Sequence, residues 1–416
     1  MNTSQQKFQH VKSASYKIAN ISINERNEVL LFLANTLKNN IETILAENAL
    51  DLAKLDKTDP KYDRLQLTHE RIIAMSRDLV KVASLPDPLE SILLEKTLPN
   101  GLKLKKITVP LGVIGVIYES RPNVTIDVFA LCFKAGNACI LKGGKEAVHT
   151  NQILFDLIQK SLSSFNHPID TVALMPTDRS ALYALLHAVG IVDVCIPRGS
   201  QQLINFVREN AKIPIIETGA GVVHTYFDHS GDLNKGANII YNAKTRRVSV
   251  CNSLDTLIIH HDRLADLPAL TQQLAKKQVE IFADKLSYHA LINHYPTELL
   301  HHATDQDFGK EFLDYKMAIK TVNSLNEAIS HILQHSSGHS EAIITEDSQA
   351  QKIFVHEVDA AAVYVNASTA FTDGGEFGLG AEIGISTQKL HARGPMGLEA
   401  LTSYKWLIYG EGHIRT

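Results

Sequence analysis

The sequence predicts an α/β protein with two doubly wound domains and a small β element, and three observations lead to this fold class. Short apolar, β-branched runs alternate with helix-length segments from residue 112 to residue 366. Asn100-Gly101 lies between runs in which apolar and polar residues alternate, which is the pattern of a β-hairpin. The length of 416 residues is enough for two or three domains.

The individual elements follow from residue spacing. One helical segment is predicted over 24–55, where Val29, Leu33 and Leu37 recur every helical turn. Strands that alternate with helices of this length form parallel sheets. Strands are predicted at 112–118, 138–142, 171–175, 191–197, 213–217, 254–260 and 361–366, and helices at 124–135, 147–164, 179–188, 201–210, 232–245 and 263–283.

Composition excludes several classes of function. The formal net charge of -4 argues against a nucleic-acid partner, which usually requires a basic face. No apolar run approaches the length of a membrane span, and the N-terminal segment has no apolar core of a signal peptide. The histidines and cysteines lack metal-ligand spacing, so no metal site is expected. We therefore expect a cytoplasmic protein that does not bind membranes.

One of the four cysteines differs from the others. Cys132, Cys139 and Cys195 lie in apolar runs and are interpreted as buried small hydrophobic residues. Cys251 lies in a polar segment that also contains Arg246 and Arg247. Nearby cations favour the thiolate form of a cysteine, which is the nucleophilic form. Local sequence alone leaves Cys251 open as either a nucleophile or a structural cysteine.

Two loops are candidates for binding a nucleotide. The sequence has no G-x-G-x-x-G motif; GLGAEIG at 378–384 comes near it but has the wrong last spacing and no strand–turn–helix unit around it. The segments 142–147 and 197–203 each follow a predicted strand and precede a helix, where ligands of parallel sheets usually bind. Their candidate cofactor-binding residues are Lys142, Gly143, Gly144, Arg198, Gly199 and Ser200.

Four longer segments carry a resemblance to a known family. They are 109–125 (VPLGVIGVIYESRPNVT), 141–147 (LKGGKEA), 242–257 (NAKTRRVSVCNSLDTL) and the long glycine-rich block 373–406. The chain resembles the aldehyde dehydrogenase superfamily, in particular its branch that reduces an acyl phosphate, over nearly its whole length. The resemblance implies an aldehyde-dehydrogenase-like fold and NADPH-dependent reduction of L-glutamate 5-phosphate to L-glutamate 5-semialdehyde, a step of proline biosynthesis.

The resemblance also implies roles for individual residues. Cys251 matches the superfamily's nucleophile, and Asn123 matches the amide that helps to form an oxyanion hole. Lys142 matches the lysine that contacts the adenosine ribose or its 2'-phosphate. Glu217 matches the general base of hydrolysing members and is grouped here with the cofactor site, as is Glu311, which is similar in position to the glutamate that holds the nicotinamide ribose. We expect Glu217 not to be an efficient hydrolytic base, because hydrolysis of the thioester would waste the activated substrate.

The substrate carries negative charge on its phosphate and its α-carboxylate, and some cations must meet it. The candidates are Arg246, Arg247, Lys389 and Arg393, which the sequence does not rank. In one respect the nucleophile loop departs from the family pattern: Val248 stands where a proline is expected. A proline fixes the backbone angle φ, so its absence implies a less rigid loop.

The resemblance implies a division of the chain into functional parts. The NADP-binding domain is expected at 1–94 and 110–220, and the catalytic domain at 221–399. The hairpin at 95–109 and the strand at 400–412 resemble the superfamily's assembly elements, so a homodimer or homotetramer is expected. The labile acyl phosphate also suggests contact with the glutamate 5-kinase that makes it.

Two alternatives remain open on the sequence. One is a different thioester-forming member, such as a CoA-acylating aldehyde dehydrogenase. That enzyme would keep Cys251 but should lack the block at 388–406. The other is a catalytically idle partner of the kinase, against which the presence of Cys251, Asn123 and Lys142 together argues.

Overall fold

The chain forms two units in the computed structural model, which describes residues 3–57 and 59–415. Unit 1 comprises the chain up to residue 218 together with 378–384 and the chain from residue 395. Unit 2 comprises 219–377 and 385–394. Within the described residues, no helix combines the length and the apolar character needed to cross a membrane.

Helices and strands alternate through most of the chain. The helices are α1 Thr3–Ile18, α2 Ile23–Asn39, α3 Ile41–Leu52, α4 Pro60–Leu65, α5 His69–Ser84, α6 Asn123–Lys134, α7 Val148–Ser164, α8 Arg179–Leu186, α9 Gln201–Asn210, α10 Leu233–Thr245, α11 Leu267–Ala275, α12 Lys285–Leu291, α13 Leu325–His335 and α14 Ser348–Glu357. The strands are β1 Ile92–Thr97, β2 Lys103–Pro110, β3 Val113–Tyr118, β4 Ala138–Lys142, β5 Val172–Leu174, β6 Val194–Arg198, β7 His224–Phe227, β8 Thr256–His260, β9 Glu280–Ala283, β10 Leu300–His302, β11 Lys316–Val322, β12 Ser340–Ile344, β13 Ala362–Val365, β14 Ile385–Ser386, β15 Gly394–Pro395 and β16 Thr402–Tyr409.

The predicted helix over 24–55 is two helices, α2 and α3, which meet at Asn40. Ser22 begins α2 with a capping box in which its hydroxyl accepts from the backbone N–H of Glu25. Asn40 has φ -121° and ψ 21°, so the backbone leaves the helical conformation there. Asparagine favours helix ends because its side chain competes for backbone hydrogen bonds. The apolar periodicity continues across Asn40 and therefore did not indicate that the helix ends there.

Unit 1 is built on a four-stranded parallel sheet in the order β5-β4-β3-β6. All residues of β3 and β4 are buried, as expected for central strands covered by helices on both faces. The strand predicted at 213–217 is wrong: only an isolated bridge joins Ile215 to Cys195. Pro214 explains the difference, since a proline has no N–H to donate to a ladder.

The predicted hairpin is confirmed, and it belongs to a separate three-stranded sheet of unit 1. Strands β1, β2 and β16 are antiparallel in the order β1-β2-β16. The turn is closed by a hydrogen bond from the Leu98 N–H to the Leu102 carbonyl at 2.8 Å. Gly101 has φ 92°, a conformation that glycine adopts without steric cost.

Unit 2 is built on a seven-stranded parallel sheet in the order β10-β9-β11-β8-β7-β12-β13. The central strands β11, β8 and β7 are adjacent, and register places Ala318, Thr256 and His224 side by side. The helix predicted over 263–283 is wrong in its second half, because α11 ends at Ala275 and β9 begins at Glu280. Gln278 has φ 56° and reverses the chain between them. The apolar residues after Gln278 form strand β9 and do not continue the helix.

Candidate active site

Cys251 lies in a turn of unit 2 between α10 and β8 and is half-buried. The turn is closed by a hydrogen bond from the Ser253 N–H to the Val250 carbonyl at 3.2 Å. The next residue, Asn252, is buried and donates from its amide to the carbonyl of Thr372 at 3.0 Å. Its own carbonyl accepts from the Thr369 hydroxyl at 2.9 Å. Hydrogen bonds of both the side chain and the backbone carbonyl of Asn252 therefore hold the turn that contains the thiol.

The other three cysteines lie in unit 1 and are buried, which confirms their interpretation as small core residues. Burial raises the pKa of the Cys195 thiol to about 12. Burial, followed by a contact with Cys139, raises the pKa of Cys132 well above its ordinary value. The Cys132 and Cys195 thiols therefore stay protonated at neutral pH, and a thiol is a far weaker nucleophile than a thiolate. Cys251 is thus the cysteine whose exposure suits covalent chemistry.

The backbone of Gly221 packs directly against that of Cys251. A Cβ atom at Gly221 would lie 1.7 Å from the Cys251 carbonyl oxygen, which no side chain tolerates. The N–H groups of three consecutive residues, beginning with Gly221, each donate to a side chain. Gly221 donates to Glu311 Oε1 at 3.0 Å, Val222 to Ser337 Oγ at 2.9 Å, and Val223 to Asp255 Oδ2 at 3.3 Å.

Asp255 and Lys244 are two buried ionisable residues close to the turn in sequence, and each affects the pKa of the other. They are 2% and 0% exposed. Burial raises the pKa of Asp255, and Lys244 together with the N–H groups of Phe312 and Val223 opposes the rise. Burial lowers the pKa of Lys244 to about 8, and Asp255 opposes this fall. The Lys244 ammonium donates to the Leu254 carbonyl at 3.0 Å.

Cys251, Gly221 and Glu311 all lie at the amino ends of adjacent parallel strands. Gly221 leads into β7, Cys251 into β8 and Glu311 into β11. Amino ends of strands present backbone N–H groups that need acceptors. This explains why Glu311, Ser337 and Asp255 accept hydrogen bonds from the segment 221–223, which precedes β7. The structure brings Glu311 and Cys251 together through Gly221, although they are far apart in sequence.

The four predicted substrate-binding cations have different surroundings in unit 2. Lys389 and Arg393 both form ion pairs with Asp359, the second at 2.7 Å. Arg246 lies 3.9 Å from a carboxylate oxygen of Glu376. Arg247 is exposed and, within 3–57 and 59–415, has no carboxylate partner. Arg247 is therefore the one whose charge is most available to an anionic ligand.

In unit 1, Lys142 ends β4 and is 8% exposed. Its ammonium donates to the Thr177 carbonyl at 2.9 Å. Burial lowers its pKa, while Asp178, Glu146 and Glu119 oppose the fall. A Cβ atom at the adjacent Gly143 would lie 2.3 Å from the Asn151 amide nitrogen, so a side chain there would have to displace this amide. Gly144 follows in the same loop and begins a short 3₁₀ turn.

The second predicted loop lies at the carboxyl end of β6, two strands away from β4 in the same sheet. Arg198 ends β6, and exposed Gly199 and Ser200 follow it. The Ser200 N–H donates to Glu119 at 2.9 Å, and the Ser200 side chain caps α9. The two predicted loops are thus brought to one edge of the unit 1 sheet, because β4, β3 and β6 are parallel.

Asn123 is the first residue of α6 and also lies at this edge, after β3. Its amide nitrogen donates to the carboxylate of Asp127, one turn later, at 2.8 Å. Burial raises the pKa of Asp127 to about 6, and this hydrogen bond opposes the rise. One N–H of Asn123 is therefore engaged with Asp127. Ser120, just before α6, has φ 42° and donates to Glu146, so the loop holds a conformation that non-glycine residues rarely adopt.

Glu217 is paired with Arg208 inside unit 1. Arg208 Nε donates to Glu217 Oε1 at 2.7 Å, and a second guanidinium nitrogen donates to Oε2. This is the fork arrangement in which arginine binds both oxygens of a carboxylate. Both oxygens of the Glu217 carboxylate therefore already accept hydrogen bonds from Arg208.

The residues of the unit 1 edge fit a nucleotide cofactor. Lys142 provides a buried ammonium at the carboxyl end of a parallel strand, and the adjacent Gly143 has no side chain that would cover the backbone of the loop. The loop at 378–384, rejected as a dinucleotide motif, has φ 76° at Gly378 and at Gly380 and is followed by no helix. It is turn structure in unit 1 and does not form a strand–turn–helix unit.

Sequence reasoning did not identify Gly221, Asp255 or Lys244. A signal for Lys244 was present, because it lies on the buried face of α10 with Gly236, Ile240 and Ala243. Helical periodicity would have placed a lysine on the apolar side. Gly221 and Asp255 had no comparable signal, since their partners are distant in sequence.

Comparisons with known proteins establish first the class of protein. The model of the aldehyde dehydrogenase family matches residues 3–303, and the chain belongs to this family. An acetylating aldehyde dehydrogenase from Geobacillus thermoglucosidasius, 16% identical, covers 99% of this chain and 97% of its own with a TM-score of 0.71, which shows the shared fold alone. The predicted resemblance and the predicted α/β fold class are confirmed.

Within the family, the chain is similar to gamma-glutamyl phosphate reductases. The crystal structure of that protein from Thermotoga maritima has a TM-score of 0.95 and 39% identity, with 100% of each chain covered. The gamma-glutamyl phosphate reductase of Legionella pneumophila (strain Lens) is 65% identical over 404 residues, 97% of each chain. The one from Bacteroides thetaiotaomicron is 58% identical over 408 residues, 98% of each chain.

Proposed function

We propose that this protein reduces L-glutamate 5-phosphate with NADPH in the cytoplasm, giving L-glutamate 5-semialdehyde and phosphate through a thioester on Cys251. The observation that carries the proposal is the environment of Cys251. It is half-buried in a turn held by hydrogen bonds, whereas the other three cysteines are buried. The similarity to gamma-glutamyl phosphate reductases over 97% of the chain supports this substrate.

The first half of the reaction forms the thioester. The Cys251 sulfur attacks the acyl-phosphate carbonyl carbon, negative charge develops on the carbonyl oxygen, and phosphate leaves with its bonding electrons. The Cys251 backbone N–H and the Asn123 amide are the proposed donors to that oxygen, and the loss of one such donor typically costs about 10²–10³ in rate. Phosphate is a good leaving group, so no strong general acid is required.

The second half of the reaction returns the cysteine. Bound NADPH supplies the hydride that converts the thioester carbonyl to the aldehyde level. The Cys251 sulfur then leaves as thiolate when the carbonyl of the product re-forms. Lys142, Gly143, Gly144, Arg198, Gly199 and Ser200 are proposed to hold the adenosine end of the cofactor, with Glu311 on the nicotinamide ribose.

The thioester must survive until it is reduced. A general base that activated water would hydrolyse it to glutamate and waste the acyl phosphate. The double hydrogen bond from Arg208 supports the prediction that Glu217 does not act as such a base. Among the four cations, the exposure of Arg247 makes it our choice for binding the substrate's negative charge.

The test runs the reaction in reverse. Pyrroline-5-carboxylate, the cyclic form of the semialdehyde, is mixed with NADP+ and phosphate, and the absorbance of NADPH is followed. Wild type is expected to reduce NADP+ only with phosphate present, Cys251→Ala to be inactive, and the matched variant Cys195→Ala to retain activity. Activity that needs CoA instead of phosphate would assign a CoA-acylating enzyme, and activity without either would assign a hydrolysing dehydrogenase.

We further propose that the chain assembles as a homodimer or homotetramer through the three-stranded sheet of unit 1. Tyr404, Trp406 and Ile408 alternate along β16 and so share one face, and they are 52%, 45% and 62% exposed. Apolar side chains exposed in a row mark an interaction surface. Light scattering should show an oligomer for wild type and a smaller species for Trp406→Glu. A monomeric wild type would contradict the proposal.

Contact with the glutamate 5-kinase is proposed on chemical grounds. An acyl phosphate hydrolyses readily, so direct transfer between the two enzymes would protect it. In a coupled assay, the yield should be higher when the two proteins are mixed than when a dialysis membrane separates them. Equal yields would count against contact.

A further inference from the structure

Asp255 is a buried carboxylate that the proposed reaction does not use. It lies just after the Cys251 turn, and each of its oxygens accepts from a different segment of unit 2. Oδ2 accepts from the Val223 N–H at 3.3 Å, and Oδ1 accepts from the Phe312 N–H at 2.9 Å. A single side chain thus ties two distant segments to the strand that follows the nucleophile.

Each tied segment also carries a residue of the candidate site. Gly221, in the first segment, is packed against the backbone of Cys251. Glu311, in the second, immediately precedes Phe312 and accepts the Gly221 N–H at 3.0 Å. The contacts therefore form a closed ring: Cys251 to Gly221, Gly221 to Glu311, Phe312 to Asp255, and Asp255 back along the chain to Cys251.

Charge links the same groups. Burial raises the pKa of Asp255, buried Lys244 opposes the rise, and the negative charge of Glu311 makes a smaller contribution in the same direction as burial. Lys244 is fully buried, and its ammonium donates to the carbonyl of Leu254, which lies in sequence between the turn and Asp255. A change in the hydrogen bonds of Glu311 therefore affects Asp255 in two ways: through the backbone that links Glu311 to Phe312, and through the electric field of the Glu311 charge.

We propose that Asp255 is a positioning residue that transmits the state of Glu311 to the backbone of Cys251. The inference rests on the proposed function, in which Glu311 binds the nicotinamide ribose. A ribose hydroxyl that donated to this carboxylate would share its negative charge with the Gly221 N–H and so weaken the hydrogen bond that Gly221 makes. Because Asp255 holds Phe312 and Val223 in place, the exchange acts on the short link between Gly221 and Cys251 instead of displacing both segments. Cofactor binding thereby adjusts the nucleophile before hydride transfer.

The test measures the reactivity of Cys251, which requires no turnover. Wild type, Asp255→Asn and Asp228→Asn are alkylated with iodoacetamide, with and without saturating NADP+, and the Cys251 peptide is quantified by mass spectrometry. Asp228 is a matched control: it is 6% exposed and follows the opposite end of β7, where it is bonded to Tyr226 and Thr345. Couplings between sites are typically 5- to 150-fold, so we expect NADP+ to change the wild-type and Asp228→Asn rates by about fivefold or more. For Asp255→Asn, the ratio of the two rates should approach one.

An unchanged ratio in Asp255→Asn would overturn the proposal, as would a wild-type rate that does not respond to bound NADP+. If Asp255→Asn does not fold, hydrogen exchange of wild type decides. Peptides that cover 219–223 and 311–313 should change their exchange together on NADP+ binding, and a change confined to 311–313 would overturn the inference. NADP+ binding itself is measured by calorimetry. A protein that binds NADP+ and shows the coupling, but has no phosphate-dependent activity, would refute the proposed substrate and leave the coupling standing.

Discussion

The candidate cofactor loops and the candidate nucleophile lie at opposite kinds of sheet edge. In unit 1, Lys142, Arg198 and Asn123 lie at or just after the carboxyl ends of β4, β6 and β3. In unit 2, Cys251 and Glu311 precede the amino ends of β8 and β11.

The two edges present different backbone groups, and the side chains around them differ accordingly. Carboxyl ends expose carbonyls, and the Lys142 ammonium donates to the Thr177 carbonyl beyond β5. Amino ends expose N–H groups, which in unit 2 donate hydrogen bonds to Glu311, Ser337 and Asp255. The general rule that ligands bind at carboxyl ends therefore points to the candidate loops of unit 1 and does not point to the candidate nucleophile of unit 2.

The largest effect is expected from adding a methyl group at the amino edge. Gly221→Ala places a Cβ 1.7 Å from the Cys251 carbonyl oxygen, a backbone contact that cannot relax without moving the turn. Small misplacements of reacting groups can cost about 10²-fold, so kcat should fall by about that factor or more. The control is Gly309→Ala, whose Cβ would have its nearest neighbour at 3.5 Å. A Gly221→Ala enzyme with wild-type kcat would show that the contact does not position the nucleophile.

At the carboxyl edge, Lys142→Ala tests cofactor choice. A hydrogen bond to a charged group contributes about 1.5–3 kcal/mol, so kcat/KM for NADPH should fall about 10- to 100-fold. The fall for NADH should be smaller, because NADH lacks the 2'-phosphate. Exposed Lys160 in α7 provides the control as Lys160→Ala, which should match wild type with both cofactors. Equal losses for both would limit Lys142 to the ribose.

Arg247→Ala tests which cation of unit 2 meets the substrate. Removing a charge-assisted contact should raise KM for the substrate about tenfold and leave kcat nearly unchanged. Lys389→Ala is the comparison, because that ammonium is already paired with Asp359. A larger KM effect for Lys389→Ala than for Arg247→Ala would reverse the assignment.

The smallest effect concerns Asp127, beside Asn123 at the carboxyl edge. Burial raises its pKa from 3.8 to about 6, so the fold favours the protonated acid. That stabilisation is complete below a pH of about 4 and is lost as the pH rises through about 6. Asp127→Asn does not titrate, so above that range its free energy of unfolding should exceed that of wild type by about 1–2 kcal/mol, discounted because Asp127 is only half-buried.

Urea unfolding at pH 4 and pH 7 checks this difference. The gain should be present at pH 7 and absent at pH 4. Exposed Asp156→Asn should show no such dependence. An Asp127→Asn variant less stable than wild type at pH 7 would mean that its hydrogen bond with Asn123 outweighs the burial of the charge.

Local pattern was sufficient for most elements of the fold. Alternating apolar runs predicted β3 and β4, and Asn100-Gly101 predicted the hairpin of β1 and β2, because these signals depend on residues near one another. The pattern failed where one residue interrupts a continuing periodicity, as at Asn40 and Gln278, and where Pro214 removes a donor from an otherwise strand-like run.

For the candidate site, polar surroundings distinguished Cys251 from the other cysteines but left its role open, and glycines and cations indicated the two loops after β4 and β6 as candidates. The Arg208–Glu217 and Asp359–Lys389 ion pairs, the Gly221–Cys251 contact and the Asp255 ring became visible only in three dimensions. Each joins residues whose neighbours in sequence do not reveal the partner. Which N–H a carboxylate accepts depends on how the strands are ordered in the sheet, and that order is set by packing of the whole unit.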